Sequence, residues 1–236
     1  MGFKTMRALA WRCLTLIWLW TLATVVAVAF RGVMNPPLSS FMQEKRLEFE
    51  MRGVRHPYIG YQWTDYADIA PAMRLAVVAA EDQNFPDHHG FDWDAIGAAI
   101  QHNTRSRRVR GGSTISQQTA KNLWLWPGRS YGRKLVEAWF TLLMETEWSK
   151  RRILETYLNV AQFDDNNYGV SAAAFAAFGC KPAALTAEQS ALLAATLPSP
   201  DRFDVDLPSA YLQRRQAWIL EQMTELGPDY LREMER

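Results

Sequence analysis

An uncharged apolar run near the N-terminus is the feature that most limits how this chain can fold. It extends from Cys13 to Phe30, CLTLIWLWTLATVVAVAF, and is bounded by Arg12 and Arg31. At about 1.5 Å per residue, a helix of this length spans roughly 27 Å, which is close to the roughly 30 Å hydrocarbon core of a bilayer. The run therefore predicts a membrane-spanning helix.

Basic residues in front of the run predict its orientation. Lys4, Arg7 and Arg12 precede it, so the positive-inside rule places the N-terminus in the cytoplasm and the rest of the chain outside. A cleaved signal peptide, with Ala27-Val28-Ala29 as its cleavage motif, is the alternative. The apolar region of such a peptide is usually about 7–15 residues, which is shorter than this run. We favour a retained anchor, and both interpretations predict an exported domain.

The remaining sequence is typical of one ordered, mainly α domain. Hydrophobic residues make up 48% and charged residues 22% of the chain, as in globular proteins. From Ala70 onward, apolar residues recur at helical spacing and strand-like alternation is rare. On one predicted helix the apolar stripe consists of Leu135, Ala138, Trp139, Leu142, Leu143 and Thr146. Trp124 and Trp126 fit either the core or a bilayer interface. We predict four segments: residues 1–12 in the cytoplasm, 13–30 as the anchor, 31–56 as a juxtamembrane segment and 57–236 as the folded domain.

Charge is unevenly distributed, although the net charge is only +1. No acidic residue lies between residues 95 and 136. The basic residues in or beside that stretch are Arg105, Arg107, Arg108, Arg110, Lys121, Arg129, Arg133 and Lys134. Such a block favours an anionic ligand, with a solvated loop as the alternative for its first part. Arg133 and Glu137 are four positions apart on a helix, and we interpret them as a surface pair that contributes little.

Two adjacent carboxylates, Glu81 and Asp82, follow the apolar run from Leu75 to Ala80. Acidic residues at the C-terminus of a helix oppose the helix macrodipole and are locally unfavourable. The placement indicates either a catalytic role or acids that cap another element, and these residues alone leave both open.

A glycine-containing segment, GGSTISQQTAKN, runs from Gly111 to Asn122. Backbone N–H groups at the start of the helix it leads into, together with Lys121 further along, suit phosphate oxygens. The alternative is ordinary helix capping by Ser113 or Thr114. The segment does not match a Walker A loop, and the chain has no Cys/His zinc motif.

Five blocks, taken in order, resemble one known family. They are EDQNFPDHHGFD from Glu81, GGSTISQQTAKN from Gly111, RKLVEAW from Arg133, YGVSAAA from Tyr168 and LTAEQSALLAATLPSP from Leu185. The set is similar to the peptidoglycan glycosyltransferases of class A penicillin-binding proteins and their stand-alone relatives, over about residues 57–225. Too few residues follow Pro200 for a transpeptidase domain, and we find no SxxK motif, so the stand-alone members are the better match.

The resemblance implies a lysozyme-like helical glycosyltransferase domain behind one N-terminal transmembrane helix. Such an enzyme polymerises lipid II by inverting β-1,4 glycosyl transfer and releases undecaprenyl diphosphate. The implied location is the inner membrane, with a single pass and a periplasmic catalytic domain. The implied partners are lipid II, the nascent glycan chain and the membrane, with cell-wall synthesis or division proteins as further candidates and no nucleic acid.

The resemblance also assigns site residues. Glu81 matches the catalytic base, and Glu137 matches a second catalytic carboxylate that orders the basic cluster or a divalent ion. The implied substrate-binding residues are Asp82, Phe85, His88, Thr114, Gln118, Lys121, Arg129, Arg133 and Lys134. Mg²⁺ or Mn²⁺ is implied as well, although no dedicated metal cage is visible in the sequence. Residues 161–168, AQFDDNNY, depart from the family pattern at Gln162 and Asp164, which leaves their part in the acceptor site open.

Two other functions fit parts of the sequence. A glycan hydrolase also combines a helical domain with an essential glutamate, but a diphosphate-binding basic stretch has no purpose there. A catalytically idle membrane protein that recruits cell-wall machinery is the second. The presence of Glu81, Glu137, Lys121 and Arg129 favours the enzyme over it.

Overall fold

The computed structural model describes residues 3–105, 112–128 and 130–234 of the chain. Its helices are α1 (Phe3–Val33), α2 (Ser40–Met51), α3 (Pro71–Glu81), α4 (Trp93–Arg105), α5 (Ile115–Trp124), α6 (Tyr131–Glu147), α7 (Lys150–Val160), α8 (Gly169–Phe178), α9 (Ala187–Thr196) and α10 (Ala210–Leu226). Two short strands, β1 (Gly60–Tyr61) and β2 (Asn167–Tyr168), pair in parallel with Gly60 opposite Asn167. The prediction of a mainly α chain with one N-terminal apolar helix is confirmed.

Two groups of helices form the folded domain. Helices α3, α9 and α10 pack on one another, and α5 packs on both α6 and α7. Apolar side chains from both groups join in one continuous core, in which Tyr157, Phe85 and Phe163 are among the largest fully buried residues. The candidate site lies where α3 and α10 meet α5 and α7.

Helix α1 contains the predicted span and extends beyond it at both ends. Its residues Met6–Val33 are long and apolar enough to cross a membrane. Large apolar side chains, including Trp11, Leu16 and Trp18, dominate its exposed surface. The helix ends just before Asn35-Pro36-Pro37, because proline lacks the N–H that would continue its hydrogen bonds.

The C-terminal half of α1 is attached to α6 and to Trp148, the residue that follows α6. The indole N–H of Trp148 donates to the carbonyl O of Val28 (2.9 Å), and that of Trp139 donates to the hydroxyl of Thr24 (3.1 Å). A Cβ atom on Gly32 would lie 2.8 Å from Nε1 of Trp148, so this close approach requires glycine. The apolar helix and the domain therefore form one connected structure.

The apolar stripe predicted on α6 is not the most buried face of that helix. Leu135 and Leu142, from the predicted stripe, are 74% and 49% exposed. The buried residues of α6 are Glu137, Phe140, Thr141 and Met144. Trp139 of the stripe meets α1, where its ring and that of Trp20 have centroids 5.5 Å apart, and Leu143 packs against the edge of the core. Periodicity reveals an apolar face but not which neighbour covers it.

Trp124 and Trp126, which the sequence assigns to either the core or a bilayer interface, have different environments. Trp124 is part of the core, because its ring stacks on that of Phe140 with a centroid distance of 4.8 Å. Trp126 is 57% exposed. The core interpretation is therefore confirmed for Trp124 alone.

Helix α2 lies inside the predicted juxtamembrane segment 31–56 and packs on α5. The hydroxyl of Ser39 caps its N-terminus by accepting a hydrogen bond from the backbone N–H of Met42 (3.3 Å). Packing in this position brings Phe41 beside Lys121. The segment therefore contributes a side chain to the wall of the candidate site.

Candidate active site

Helix α3 carries a carboxylate to the centre of the candidate site. Buried apolar residues run from Leu75 to Ala79, and the helix ends at Glu81, whose side chain is 13% exposed. Its Oε2 accepts a hydrogen bond from Nε2 of Gln118 (3.0 Å), and its Oε1 pairs with Nη2 of Arg215 (3.3 Å). The predicted base therefore lies between α5 and α10.

The surroundings of Glu81 suit a proton acceptor. Burial raises the pKa of Glu81 above its ordinary value, and the charge of Asp82 adds a smaller increase. The hydrogen bond from Gln118 and the charge of Arg215 lower the same pKa and offset part of this rise. A carboxylate whose pKa lies closer to neutral holds an abstracted proton better than an ordinary surface carboxylate does. Glu81 therefore has the environment of a general base.

Asp82 and His88 form a buried pair beside Glu81. The Asp82 carboxylate accepts hydrogen bonds from the backbone N–H of Ile115 (2.8 Å) and from Nε2 of His88 (3.0 Å). Nδ1 of His88 accepts from the backbone N–H of Gly90 (3.1 Å), which assigns the ring proton to Nε2. These bonds join the end of α3 to the start of α5. Both side chains thus hold the wall of the site, and their polar atoms are already occupied.

Phe85, which the resemblance also assigns to the site, is fully buried. The ammonium of Lys150 lies 4.5 Å from the centroid of the Phe85 ring and pairs with the carboxylate of Glu145 (2.9 Å). Phe85 therefore supports the loop after α3 from the core side and offers no surface to a ligand in this structure.

Thr114 begins α5 as its N-cap. Its Oγ1 accepts a hydrogen bond from the backbone N–H of Gln117 (3.2 Å) and donates to the carbonyl O of Gly90 (2.7 Å). The side chain of Gln117 returns a bond to the backbone N–H of Thr114 (3.1 Å), which completes a capping box. The capping interpretation is confirmed for Thr114, so this hydroxyl orders the helix start that faces the site.

Gln118, on α5, forms hydrogen bonds with residues of two other helices, α3 and α7. While its Nε2 donates to Glu81, its Oε1 accepts a hydrogen bond from the hydroxyl of Tyr157 (3.1 Å). Burial raises the pKa of Tyr157 well above its ordinary value, so this hydroxyl stays protonated as the donor. The amide of Gln118 is therefore fixed in one orientation, with its NH₂ group toward the base.

A cleft of about 490 Å³ opens beside these groups. Gln118, Lys121 and Tyr157 line one side of it, and Gln162 and Asp201 line another. Gln118 and Lys121 are three residues apart on α5 and therefore share a helix face. The cleft is the space in which a ligand meets both the base region and a cation.

Lys121 is a partly desolvated cation. Burial lowers the pKa of Lys121, and the positive charges of Arg133 and Lys134 lower it further, whereas the charge of Glu137 raises it. Nζ of Lys121 lies 5.5 Å from the centroid of the Phe41 ring. Charge interactions strengthen as water is excluded, so this ammonium is well placed to bind an anion.

Glu137 organises the basic residues of α6. Its Oε2 accepts a hydrogen bond from Nη1 of Arg133 (2.9 Å), and its Oε1 accepts one from Nζ of Lys134. Lys134 also donates to Oγ of Ser113 (3.4 Å). The predicted pairing of Arg133 with Glu137 is confirmed, but its surface location is wrong, because the two side chains are only 10% and 3% exposed. The occupied oxygens favour the ordering role of Glu137.

The two halves of the predicted site share one region. The charge of Lys121 lowers the pKa of Glu81, and the charge of Glu81 raises the pKa of Lys121. The second cation implied for a diphosphate, Arg129, lies outside the described residues, as does the basic segment 106–111. Within the described ranges, Lys121 and Gln118 line the cleft, and Glu81 lies one hydrogen bond behind Gln118.

Comparison with known proteins gives this geometry a family. A sequence profile described as Transglycosylase matches residues 55–224. The chain belongs to the transglycosylase family. It is 49% identical over 229 residues to the biosynthetic peptidoglycan transglycosylase of Xanthomonas campestris pv. campestris (strain B100), covering 97% of this chain and 93% of that protein. The transglycosylases of the same name from Xanthomonas oryzae and Pasteurella multocida are 51% and 48% identical over 214 residues, covering 90% and 91% of this chain and 87% and 86% of their own. This transglycosylase is accordingly a glycosyltransferase enzyme.

The described residues of this transglycosylase do not fit a resident divalent cation. Both carboxylate oxygens of Glu137, the implied metal-associated group, accept hydrogen bonds from cations of the protein. Across residues 3–105, 112–128 and 130–234, no three His, Cys, Asp or Glu side chains are grouped to hold a metal ion. Mg²⁺ or Mn²⁺ therefore stays a prediction from the resemblance, and no step below depends on it.

Sequence reasoning misses two residues of the transglycosylase site, Arg215 and Tyr157. Arg215 contacts Glu81 across 134 positions of sequence, and Tyr157 contacts Gln118 across 39. Neither residue carries a local motif, because each lies within an ordinary amphipathic helix pattern. Only the packing of α10 and α7 against α3 and α5 brings them to the site.

Residues 161–168, whose sequence departs from the family pattern, form a loop beside the cleft that is held in place by hydrogen bonds. Nε2 of Gln162 donates to Oδ1 of Asp201 (2.7 Å) and to the carbonyl O of Asp164 (2.9 Å). Oδ1 of Asp164 accepts from the backbone N–H of Asn167 (2.8 Å). The two residues that depart from the family pattern thus hold the loop to itself and to the segment after α9.

Proposed function

We propose that this chain polymerises lipid II into peptidoglycan glycan strands by inverting β-1,4 glycosyl transfer. The observation that carries the proposal is the position of Gln118, which lines the cleft together with Lys121 and donates a hydrogen bond to Glu81 (3.0 Å). A glycosyl transfer that expels a diphosphate needs a base for the attacking hydroxyl and positive charge for the departing group. This arrangement supplies both.

In the proposed reaction, Glu81 acts on the acceptor. Its carboxylate takes the proton of the sugar 4-hydroxyl while the hydroxyl oxygen forms a bond to C1 of the donor sugar. The C1–O bond to the diphosphate breaks, and its electron pair leaves with undecaprenyl diphosphate. Attack from the face opposite the leaving group converts the α-linked donor into a β-1,4 bond. Glu81 ends the step protonated and returns the proton to solvent.

The basic cluster acts on the donor. Lys121 and Arg202 are the described cations that line the cleft. Arg133 and Lys134 both pair with the carboxylate of Glu137, whose charge also acts on Lys121. Fixed positive charge beside the diphosphate stabilises the negative charge that grows as the C1–O bond breaks. Arg129 is proposed as a further diphosphate ligand on the strength of the family resemblance.

We further propose that α1 anchors the enzyme in the inner membrane with its N-terminus in the cytoplasm and the catalytic domain in the periplasm. The support is the span Met6–Val33 and the basic residues that precede its apolar run. A lipid-borne substrate fits this location, because its polyprenyl chain stays in the bilayer. Specific cell-wall synthesis or division proteins as partners stay a prediction.

The topology is testable with one introduced thiol. Met51 is 82% exposed at the end of α2, so Met51→Cys in a Cys180→Ser background places a reactive group outside the membrane. A membrane-impermeant maleimide should label this variant in intact spheroplasts. Labelling that requires lysis of the spheroplasts would contradict the proposed orientation. The Cys180→Ser protein without the new cysteine is the control, since Cys13 lies within the apolar run.

Purified full-length enzyme given lipid II tests the function itself. We expect glycan strands to appear, with undecaprenyl diphosphate released, and moenomycin to stop both. The same preparation incubated with finished sacculi should release no soluble muropeptides; release of muropeptides without strand formation would identify a hydrolase. An arm with EDTA tests the predicted cation: a rate that is lost and then restored by Mg²⁺ or Mn²⁺ supports it, and an unchanged rate contradicts it.

A further inference from the structure

Arg215 links the proposed base to α10, a helix that the reaction scheme does not otherwise use. Nη2 of Arg215 lies 3.3 Å from Oε1 of Glu81 and 3.4 Å from the carbonyl O of Ala80. The Arg215 and Glu81 side chains are 21% and 13% exposed, so the pair is mostly shielded from water. One guanidinium nitrogen therefore reaches both the carboxylate and the last turn of α3.

The position of Glu81 creates a need for such a partner. Glu81 is the last residue of α3, where unpaired carbonyl groups give the helix end a partial negative charge that disfavours an acid. Burial adds a second penalty to the ionised form. Arg215 acts against both effects, because its positive charge faces the carboxylate and a terminal carbonyl at once.

Helix α10 and the turn after it also fix the segment that follows the base. The side chain of Gln222 accepts a hydrogen bond from Nε2 of Gln83 (2.8 Å), and the hydroxyl of Tyr230 donates to the carbonyl O of Gln83 (2.6 Å). The end of α3 is therefore held to the C-terminal part of the domain on both sides of Asp82. This arrangement limits how far Glu81 can move.

The other titratable or charged groups that act on Glu81 are few. Asp82 raises the pKa of Glu81, and Lys121 lowers it less than Arg215 does. Tyr157, on α7, has a pKa well above its ordinary value and stays neutral. Among the described residues that act on its charge, Arg215 is the one that forms an ion pair with the Glu81 carboxylate (3.3 Å).

We propose that Arg215 is a positioning residue for glycosyl transfer, which holds the Glu81 carboxylate toward the cleft and keeps it ionised at neutral pH. The inference rests on the proposed role of Glu81 as the base. It assigns a function to α10, which lies outside the five sequence blocks that carry the resemblance, and it makes the active pH range of the enzyme depend on a cation that is remote in sequence from the base.

The test is the pH dependence of kcat/KM for lipid II in full-length Arg215→Gln enzyme. An opposite charge within about 4–6 Å moves a carboxyl pKa by about 1–3. Loss of Arg215 should therefore shift the acid limb upward by at least about 1 pH unit, with activity on that limb about tenfold lower for each such unit. Activity should recover as the pH rises, and the basic limb, which we assign to loss of charge on Lys121, should stay in place. A narrower bell-shaped profile is the expected result.

Two variants make the outcome decisive. Arg214→Gln removes the same charge from an exposed neighbouring position of α10 and should leave the profile unchanged. Arg215→Lys keeps the positive charge, so its acid limb should stay near that of the natural enzyme even if its maximal rate falls. This second variant also provides the test if Arg215→Gln fails to fold, since an acid limb that moves in Arg215→Lys contradicts the role of charge.

A uniform loss of activity at every pH in Arg215→Gln would overturn the inference, because it would indicate structural support only. An unchanged profile would overturn it as well. Glu81→Gln, measured in the same assay, separates this failure from that of the proposed function. If Glu81→Gln is inactive, a negative Arg215 result removes the positioning role alone, whereas an active Glu81→Gln enzyme removes the base on which both depend.

Discussion

Glu81→Gln enzyme should form glycan strands about 10²–10⁴-fold more slowly than the natural enzyme, the range that a positioned general base contributes. Glutamine has nearly the same shape as glutamate and can still bond to Gln118, but it cannot take the proton of an attacking hydroxyl. The loss should appear in kcat and should persist at every pH, because no carboxylate remains to be ionised. The measurement is the initial rate of lipid II polymerisation in detergent.

The matched control for this variant is Glu221→Gln, which changes an exposed carboxylate on α10 and should polymerise at the natural rate. Both variants should unfold cooperatively on heating, since neither changes side-chain volume. Polymerisation at the natural rate by Glu81→Gln would mean that another group accepts the proton. A normal cell-wall phenotype from an inactive Glu81→Gln enzyme would instead favour a recruiting role for the protein.

Lys121→Met should lower kcat by about 10²–10³-fold, the effect of removing one group that stabilises charge in a transition state. Methionine matches much of the length of the lysine side chain but lacks its charge and its N–H donors. The fold should tolerate the change, because the replacement removes a cation that burial already penalises. Lys121→Arg should restore little activity, since a planar guanidinium does not fit where an ammonium does.

Whether Lys121→Met changes kcat or KM distinguishes two possible roles of the Lys121 charge. A fall in kcat shows that Lys121 acts on the departing diphosphate as its charge grows, whereas a rise in KM with kcat unchanged would show that it binds substrate and transition state equally. Lys181→Met, an exposed lysine outside the cleft, should alter neither constant. An unchanged kcat in Lys121→Met would contradict the proposed leaving-group role.

Local sequence patterns predict the parts of the site that depend on neighbours within one or two turns. The end of α3 at Glu81, the cap at Thr114 and the pairing of Arg133 with Glu137 all follow from spacing and are observed. The shared face of Gln118 and Lys121 on α5 also follows, because they are one turn apart, and both line the cleft.

Properties that depend on what covers a helix do not follow from its own sequence. The sequence of α6 shows an apolar stripe that includes Leu135 and Leu142, but both are exposed, and Glu137 is buried because two basic residues of the same helix neutralise it there. The same limit applies to Arg215, whose partner is 134 residues away. A polar residue is buried where distant partners meet it, and their meeting is decided by the packing of whole helices.

The indole bonds that join Trp139 and Trp148 to α1 remove the freedom that a flexible stalk would give. A tilt or an axial turn of α1 must carry the catalytic cleft with it, so the direction in which the cleft opens is fixed by the angle at which this helix stands. With α1 in the bilayer, as proposed above, the catalytic domain would not rotate independently of its anchor. The enzyme would then meet its lipid-borne substrate by lateral diffusion of the whole molecule.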